Sequence, residues 1–284
     1  MSVVAGVRPK SPTERLLATN SWLVYAFFYA PILVLIVFSF NDNDNVGIWT
    51  EPSLRWYGAM LDNDDVLRAI RSSLTVAAIS TVISTILGTM AALSLERFRF
   101  RGQRLHDGLI YLPIIIPDVT MAVMMLLFFA QAFRIIDGLF GWSPSFGLGT
   151  ISLSHIAFNI SFVAVVVRAR LGQLDPALEE AAADLYADRW QSFRRITLPL
   201  ILPGVLGGGL LALTLSLDDV VVTSFVAGPG STTLPVYVFG LVRRGVTPLI
   251  NAVSTVMLVA SMVLVSVSLL FQRTTGTAMS RAEP

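Results

Sequence analysis

The sequence contains no cysteine, which excludes a disulfide framework and any thiolate-ligated metal. Its two histidines, His106 and His155, lie far apart and offer little to a zinc centre. Lysine occurs once, at Lys10 in the N-terminal tail. A phosphate-binding loop of the form GxxxxGK[ST] needs a lysine on the nucleotide phosphates, so the chain cannot bind ATP in that way. If ATP drives its work, another polypeptide must hold the nucleotide. Charge is also scarce: 14% of the residues are charged, against about 25% in a soluble domain. That is too little to solvate the surface of a 284-residue chain. A soluble protein with a large core would show short amphipathic apolar runs, whereas the runs here are long and nearly free of charge.

What is present is apolar. Hydrophobic residues make up 54% of the chain and the mean hydropathy is +0.71. A helix rises about 1.5 Å per residue, so a hydrocarbon core of roughly 30 Å takes about 20 apolar residues. Six runs meet that length: 21–40, 70–93, 108–133, 151–168, 198–217 and 252–271. The sequence therefore predicts an all-α membrane protein with six transmembrane helices. The first run follows Arg8, Lys10 and Arg15 as a signal peptide would, but it is too long, and Asn41–Asn45 offers no small-residue cleavage pattern. It is read as a retained span.

Arginine placement predicts the orientation. Arg8, Lys10 and Arg15 precede the first span; Arg97, Arg99, Arg101 and Arg104 fall in the second loop. Arg168, Arg170, Arg189, Arg194 and Arg195 fall in the fourth loop, and Arg273 and Arg281 in the C-terminal tail. The opposite loops hold fewer basic residues beside Asp42, Asp44, Glu51, Asp62, Asp64 and Asp65. By the positive-inside rule both termini are cytoplasmic. The expected organisation is a cytoplasmic tail over 1–20, a first span and periplasmic segment over 21–69, a transmembrane domain over 70–272 with a cytoplasmic loop at 174–197, and a tail over 273–284. Trp49, Trp56 and Tyr57 in the periplasmic segment suit the headgroup level of the bilayer, with contact to an external partner as the alternative.

The fourth loop carries the most information. Asp175-Pro176 is a helix start, followed by Glu179 and Glu180 in the first turn, where the helix dipole favours acids. Leu178, Ala181, Ala182 and Leu185 then fall at i, i+3, i+4 and i+7 on one narrow apolar stripe. Asp188 is placed to cap a second short helix, and Ile196-Thr197-Leu198-Pro199 opens the fifth span. No lipid covers an apolar stripe in an aqueous loop, so either the rest of the chain or a partner must bury it.

Glu180-Ala181-Ala182, Asp184-Leu185 and Ile196-x-Leu198-Pro199 together resemble the EAA loop of ABC-importer permeases. The resemblance implies the type I (MetI-like) permease fold. It also implies a coupling role for Glu180, Ala181, Ala182, Asp184, Leu185, Tyr186 and Asp188 against an ATPase subunit. One position departs from the pattern: Tyr186 stands where the family usually has glycine, which turns the chain between two helices without strain. Tyr186 either takes that turn at a cost or fills space against the ATPase. Ser53–Tyr57, Pro117-Asp118-Val119, Leu215–Asp219 and Gly228–Pro235 narrow the resemblance to the polyamine branch, nearest to its putrescine permeases.

The implied assembly is a second homologous permease, two ATPase subunits carrying ATP and magnesium, and a periplasmic polyamine-binding protein. It sits in the bacterial inner membrane, with no cofactor in this chain, no catalytic residue and no nucleic-acid partner. Acids in apolar spans point the same way, because a carboxylate in hydrocarbon costs at least about 2.5–3.5 kcal/mol and usually faces a cavity or a partner. Asp118 falls ten residues into the third run, and Asp218 and Asp219 end the fifth. A diamine suits carboxylates spaced along a path with aromatic faces between them. Asp118 and Asp219 are the leading path candidates, Asp218 a further one, with Phe225 and Tyr237 near them; the alternative is that these acids cap helix ends or pair with Arg243 and Arg244. His155, with Ser152, Ser154, Asn159 and Ser161, reads as an interhelical hydrogen-bonding group. Two other classes compete: a secondary transporter without an ATPase, and a membrane-embedded enzyme, for which no G-x-S-x-G elbow or paired-histidine motif is present.

Overall fold

The structure is a computed structural model that describes residues 12–245 and 247–280. The predicted basic positions Arg8, Lys10 and Arg281 lie outside them. Among the described residues there is no strand beyond one isolated bridge, Asn41 to Pro52. The long helices are α1 (Pro12–Phe38), α3 (Asp64–Arg97), α5 (Asp118–Phe140), α6 (Leu148–Leu171), α9 (Leu198–Asp218) and α12 (Pro248–Ser280). Between them lie α2 (Arg55–Leu61), α4 (Gln103–Ile115), α7 (Ala177–Asp184), α8 (Arg189–Ser192), α10 (Val221–Val226) and α11 (Leu234–Arg244). Among the described residues six stretches are long and apolar enough to cross a membrane: Leu16–Phe38, Asp64–Arg97, Asp118–Phe140, Leu148–Leu171, Arg189–Asp218 and Pro248–Ser266.

Two compact units divide the chain, one reaching Asp62 together with Gly245–Met257, the other Asn63–Arg244 together with α12 from Leu258 onward. In the first unit, no residue of the apolar stretch of α1 is buried, as suits a helix whose solvent is lipid or a neighbouring subunit. The segment after it is folded by side chains. Asn41 donates to the Ile48 carbonyl at 2.7 Å and accepts from the Thr50 N–H at 3.0 Å. Trp49 packs edge-on against Phe38 at 5.8 Å, and Tyr57 hydrogen-bonds Ser39 at 2.7 Å. The aromatics expected at the headgroup level thus also fasten this segment to the end of α1.

The second unit holds the core. Helix α3 begins at Asn63, whose side chain accepts from the Asp65 and Val66 N–H groups. It packs against α6 and α9, and close approach depends on glycine. A Cβ on Gly88 would stand 2.7 Å from Val163 and 2.9 Å from the Ile160 carbonyl, and one on Gly209 would stand 2.9 Å from Thr85. One apolar cluster gathers Ala92, Val163, Val167, Ile201 and Ala212. Another gathers Val76, Met121, Phe129, Ile151, Phe158 and Val222, with Met125 packed against it, so Met121 and Met125 fill space in the core.

The third predicted span requires correction. Residues 108–133 do not form one helix: α4 ends at Ile115 and α5 begins at Asp118. Pro117 has no N–H to continue the ladder and pushes the preceding residue out of the helical region; Ile116 is extended at φ −70°, ψ 132°. Asp118 is therefore the first residue of a helix, not ten residues inside one. Prolines act differently at the fifth span. Pro199 and Pro203 leave the helix unbroken, and a π turn over Phe193–Thr197, closed by the Leu198 N–H on the Phe193 carbonyl, precedes it.

Candidate translocation site and coupling loop

Two helix interruptions in the second unit meet at one cavity. The first is the α4–α5 break at Pro117. The second follows α9, where Asp219 is extended at φ −67°, ψ 126° before α10. The cavity, about 350 Å³, is lined by Asp118, Asp218 and Asp219, by Phe158 and Phe162, and by Pro113, Met121, Leu215 and Val220–Val222. All three acids singled out in the sequence converge there. Among the described residues neither Asp118 nor Asp218 makes a hydrogen bond or ion pair with its side chain, and both are exposed. The C-terminal end of α9 adds the partial negative charge of its free carbonyls on the same side.

Asp219 has a different environment. Its carboxylate accepts from the Thr223 N–H and hydroxyl, both at 2.7 Å, and from the Val222 N–H at 3.2 Å. It caps α10, and it lies 3.3 Å from Nε2 of His155. His155 is fully buried, its Nε2 3.0 Å from the Thr223 hydroxyl and its Nδ1 2.6 Å from Ser216, which in turn bonds Ser80 at 2.8 Å. This polar chain ties α3, α6, α9 and α10 together beside the cavity. Thr223 and Ser80 carry no motif in the sequence, Ser216 lies inside the Leu215–Asp219 motif without a role assigned to it there, and the fold brings the three together.

On the loop, Asp175 accepts from the Ala177 N–H at 2.9 Å and starts α7. Asp188 and Gln191 form a reciprocal capping box at the start of α8. Glu179 accepts at one oxygen, Oε1, from the Thr197 hydroxyl at 2.6 Å and from Arg97 at 2.8 Å. The apolar stripe is split: Ala182 is buried, but Leu178 is 45% and Leu185 82% exposed. Tyr186 is the one described non-glycine residue with positive φ, at 60°, and it is 97% exposed. It both takes the glycine-type turn and projects from the surface.

The family described as "Binding-protein-dependent transport system inner membrane component" matches residues 84–281. The chain belongs to this family. Among its relatives, the permease is 46% identical over 237 residues to the putrescine transport system permease protein PotI of Escherichia coli K12, covering 83% of each chain. It is 39% identical to the spermidine/putrescine transport system permease protein PotC of the same strain, covering 88% of this chain and 91% of that one. In fold it matches a chain of a bacterial alginate ABC transporter with a TM-score of 0.71 at 21% identity, over 91% of this chain and 98% of the other. A chain of the MetNI methionine ABC transporter matches with a TM-score of 0.59 at 17% identity, over 78% and 99%. The permease is an inner-membrane protein with the type I permease fold.

Several candidate residues of the permease stand elsewhere than the sequence placed them. Phe225 and Tyr237 do not line the cavity; the aromatic faces there are Phe158 and Phe162, one turn apart on α6. Arg243 does not pair with the acids but stacks on Phe239, 4.5 Å from its ring centre, and the side chain of Arg244 lies outside the described residues. Ala182 faces its own chain, so the outward face of the loop is Leu178, Leu185, Tyr186 and Trp190. Arg97, which the sequence placed in the second loop, ends α3 and is engaged by Glu179.

Proposed function

We propose that this permease forms one half of the path of an ATP-driven polyamine importer, with putrescine as a substrate and a second homologous permease as the other half. Two ATPase subunits hold ATP and magnesium, a periplasmic binding protein delivers the amine, and both termini are cytoplasmic. The relatives' names supply the substrate class. The observation that carries the reading to this chain is the cavity, where two carboxylates without a partner among the described residues, Asp118 and Asp218, stand beside the rings of Phe158 and Phe162. A diamine has two ammonium groups joined by an apolar linker, so each end gains a charge-assisted hydrogen bond and the linker gains an apolar wall. The exposed Leu185, Tyr186 and Trp190 favour an ATPase-coupled permease over a secondary transporter, which leaves such a face unexplained.

The mechanism follows from the connections. ATP-driven closure of the ATPase subunits moves the loop 174–197; from Arg189 onward the loop runs without a break in helix into α9, and α9 ends at Asp218 on the cavity. Movement of the loop thus alters the helix end that faces the substrate. The test is putrescine uptake into proteoliposomes carrying the complete complex and saturating binding protein. Losing one charge-assisted contact costs about 1.5 kcal/mol, roughly tenfold in affinity. Asp118→Asn and Asp218→Asn are each expected to lower uptake to that extent with the complex intact. Unchanged uptake and unchanged amine-stimulated ATP hydrolysis in both would defeat the reading.

A further inference from the structure

The loop must deliver movement to more than one helix, because the cavity is walled by several, and α7 is a short helix with its apolar stripe partly exposed. Its firmest tie to the spans is one carboxylate oxygen. Glu179 Oε1 takes the Arg97 guanidinium at 2.8 Å and the Thr197 hydroxyl at 2.6 Å. Arg97 is the last residue of α3, and Thr197 is the last residue of the π turn that feeds α9. The Glu179 and Arg97 side chains are 32% and 28% exposed, and Thr197 is buried, so the cluster is shielded from much of the screening that weakens surface pairs.

Both tied helices run to the cavity region. Helix α9 ends at Asp218, and α3 carries Ser80, which bonds Ser216 of α9 at 2.8 Å. The two helices are therefore fastened together at the cavity level and again at the loop, and at the loop the fastening passes through Glu179. We propose that Glu179 is the positioning residue that makes α3 and α9 move as one body when the loop moves, so that ATP hydrolysis is converted into opening of the path. The π turn beside it adds to the case, since such turns inside helices are frequent at functional sites. Without Glu179, α9 still follows the loop by chain connection, but α3 follows only through its packing on α9, and hydrolysis no longer opens the path reliably.

This inference rests on the importer reading given above, and the test separates the two. The complex is purified through this chain and reconstituted with loaded binding protein, and amine imported and phosphate released are measured together. Absence of a co-purifying ATPase with the unsubstituted chain would defeat the importer reading itself. With the ATPase present, Glu179→Gln is expected to retain assembly and ATP hydrolysis while amine imported per ATP falls on the order of fivefold or more, the scale of an ordinary intersite coupling. Arg97→Gln should act alike, and the exchanged pair Arg97→Glu with Glu179→Arg should recover much of the ratio. The inference is overturned if the import-to-hydrolysis ratio of Glu179→Gln equals that of the unsubstituted complex. It is equally overturned if Glu179→Gln fails to assemble, because the residue then serves docking or folding rather than coupling.

Discussion

Tyr186 is costly to the chain by itself, and on the proposed importer reading it is useful to the assembly. A non-glycine residue held in the left-handed region costs about 1–2 kcal/mol, and Tyr186 sits there at φ 60° with nearly all of its surface open. Glycine would relieve the strain but would remove an aromatic anchor, the residue type that contributes most to interfaces. Tyr186→Gly is therefore expected to leave thermal unfolding of the isolated permease within about 1 kcal/mol of the original. The same change should weaken ATPase association by about 2 kcal/mol, read as loss of the ATPase on size exclusion at low concentration. Retained or tighter association would show that the exposed ring is not a docking group. The acids divide in the same manner. Asp118 and Asp218 have no partner among the described residues, whereas Asp219 is engaged as a helix cap, so neighbours rather than residue type separate their roles.

At the scale of elements, the junction of α9 and α10 depends on His155. Its ring is enclosed and contacts Ser216, Thr223 and Asp219. Replacing it with alanine leaves buried polar groups without partners and opens a void, costing together about 3 kcal/mol. His155→Ala should lower the thermal midpoint of the detergent-purified permease by several degrees and loosen amide protection in α10. An unchanged midpoint would show that the network adds no net stability. The α4–α5 break teaches a related lesson. Hydropathy runs across Ile116-Pro117 without a dip, so the apolar content of 108–133 is legible as membrane-embedded but its division is not. Pro117 could kink a helix or end it, and the structure shows that it ends one.

For the whole molecule, orientation is the property to test directly. The sequence contains no cysteine, so single cysteines can be introduced without background. In intact cells, a cysteine at Asp44 should react with a membrane-impermeant thiol reagent, while one at Asp188 should react only after the membrane is opened. The reverse pattern would invert the topology and place the coupling loop where no ATPase could reach it.

Much of this protein was legible from composition and order alone. Scarce charge and six long apolar runs determine a membrane-embedded helical chain, because the bilayer penalises each uncompensated charge or backbone group locally. The loop from Asp175 to Pro199 was readable too, since caps and stripes are interactions between residues a few positions apart. Only the tertiary structure decided which acid is free and which is engaged, that Phe158 and Phe162 rather than Phe225 and Tyr237 face the cavity, and that Arg97 reaches Glu179. Apart from the local cap that Asp219 places on α10, these arrangements join residues tens of positions apart in the chain, as His155 and Asp219 are, so the facing of whole helices decides them, and helix facing is set by close packing at places such as Gly88 against Val163 rather than by any local pattern.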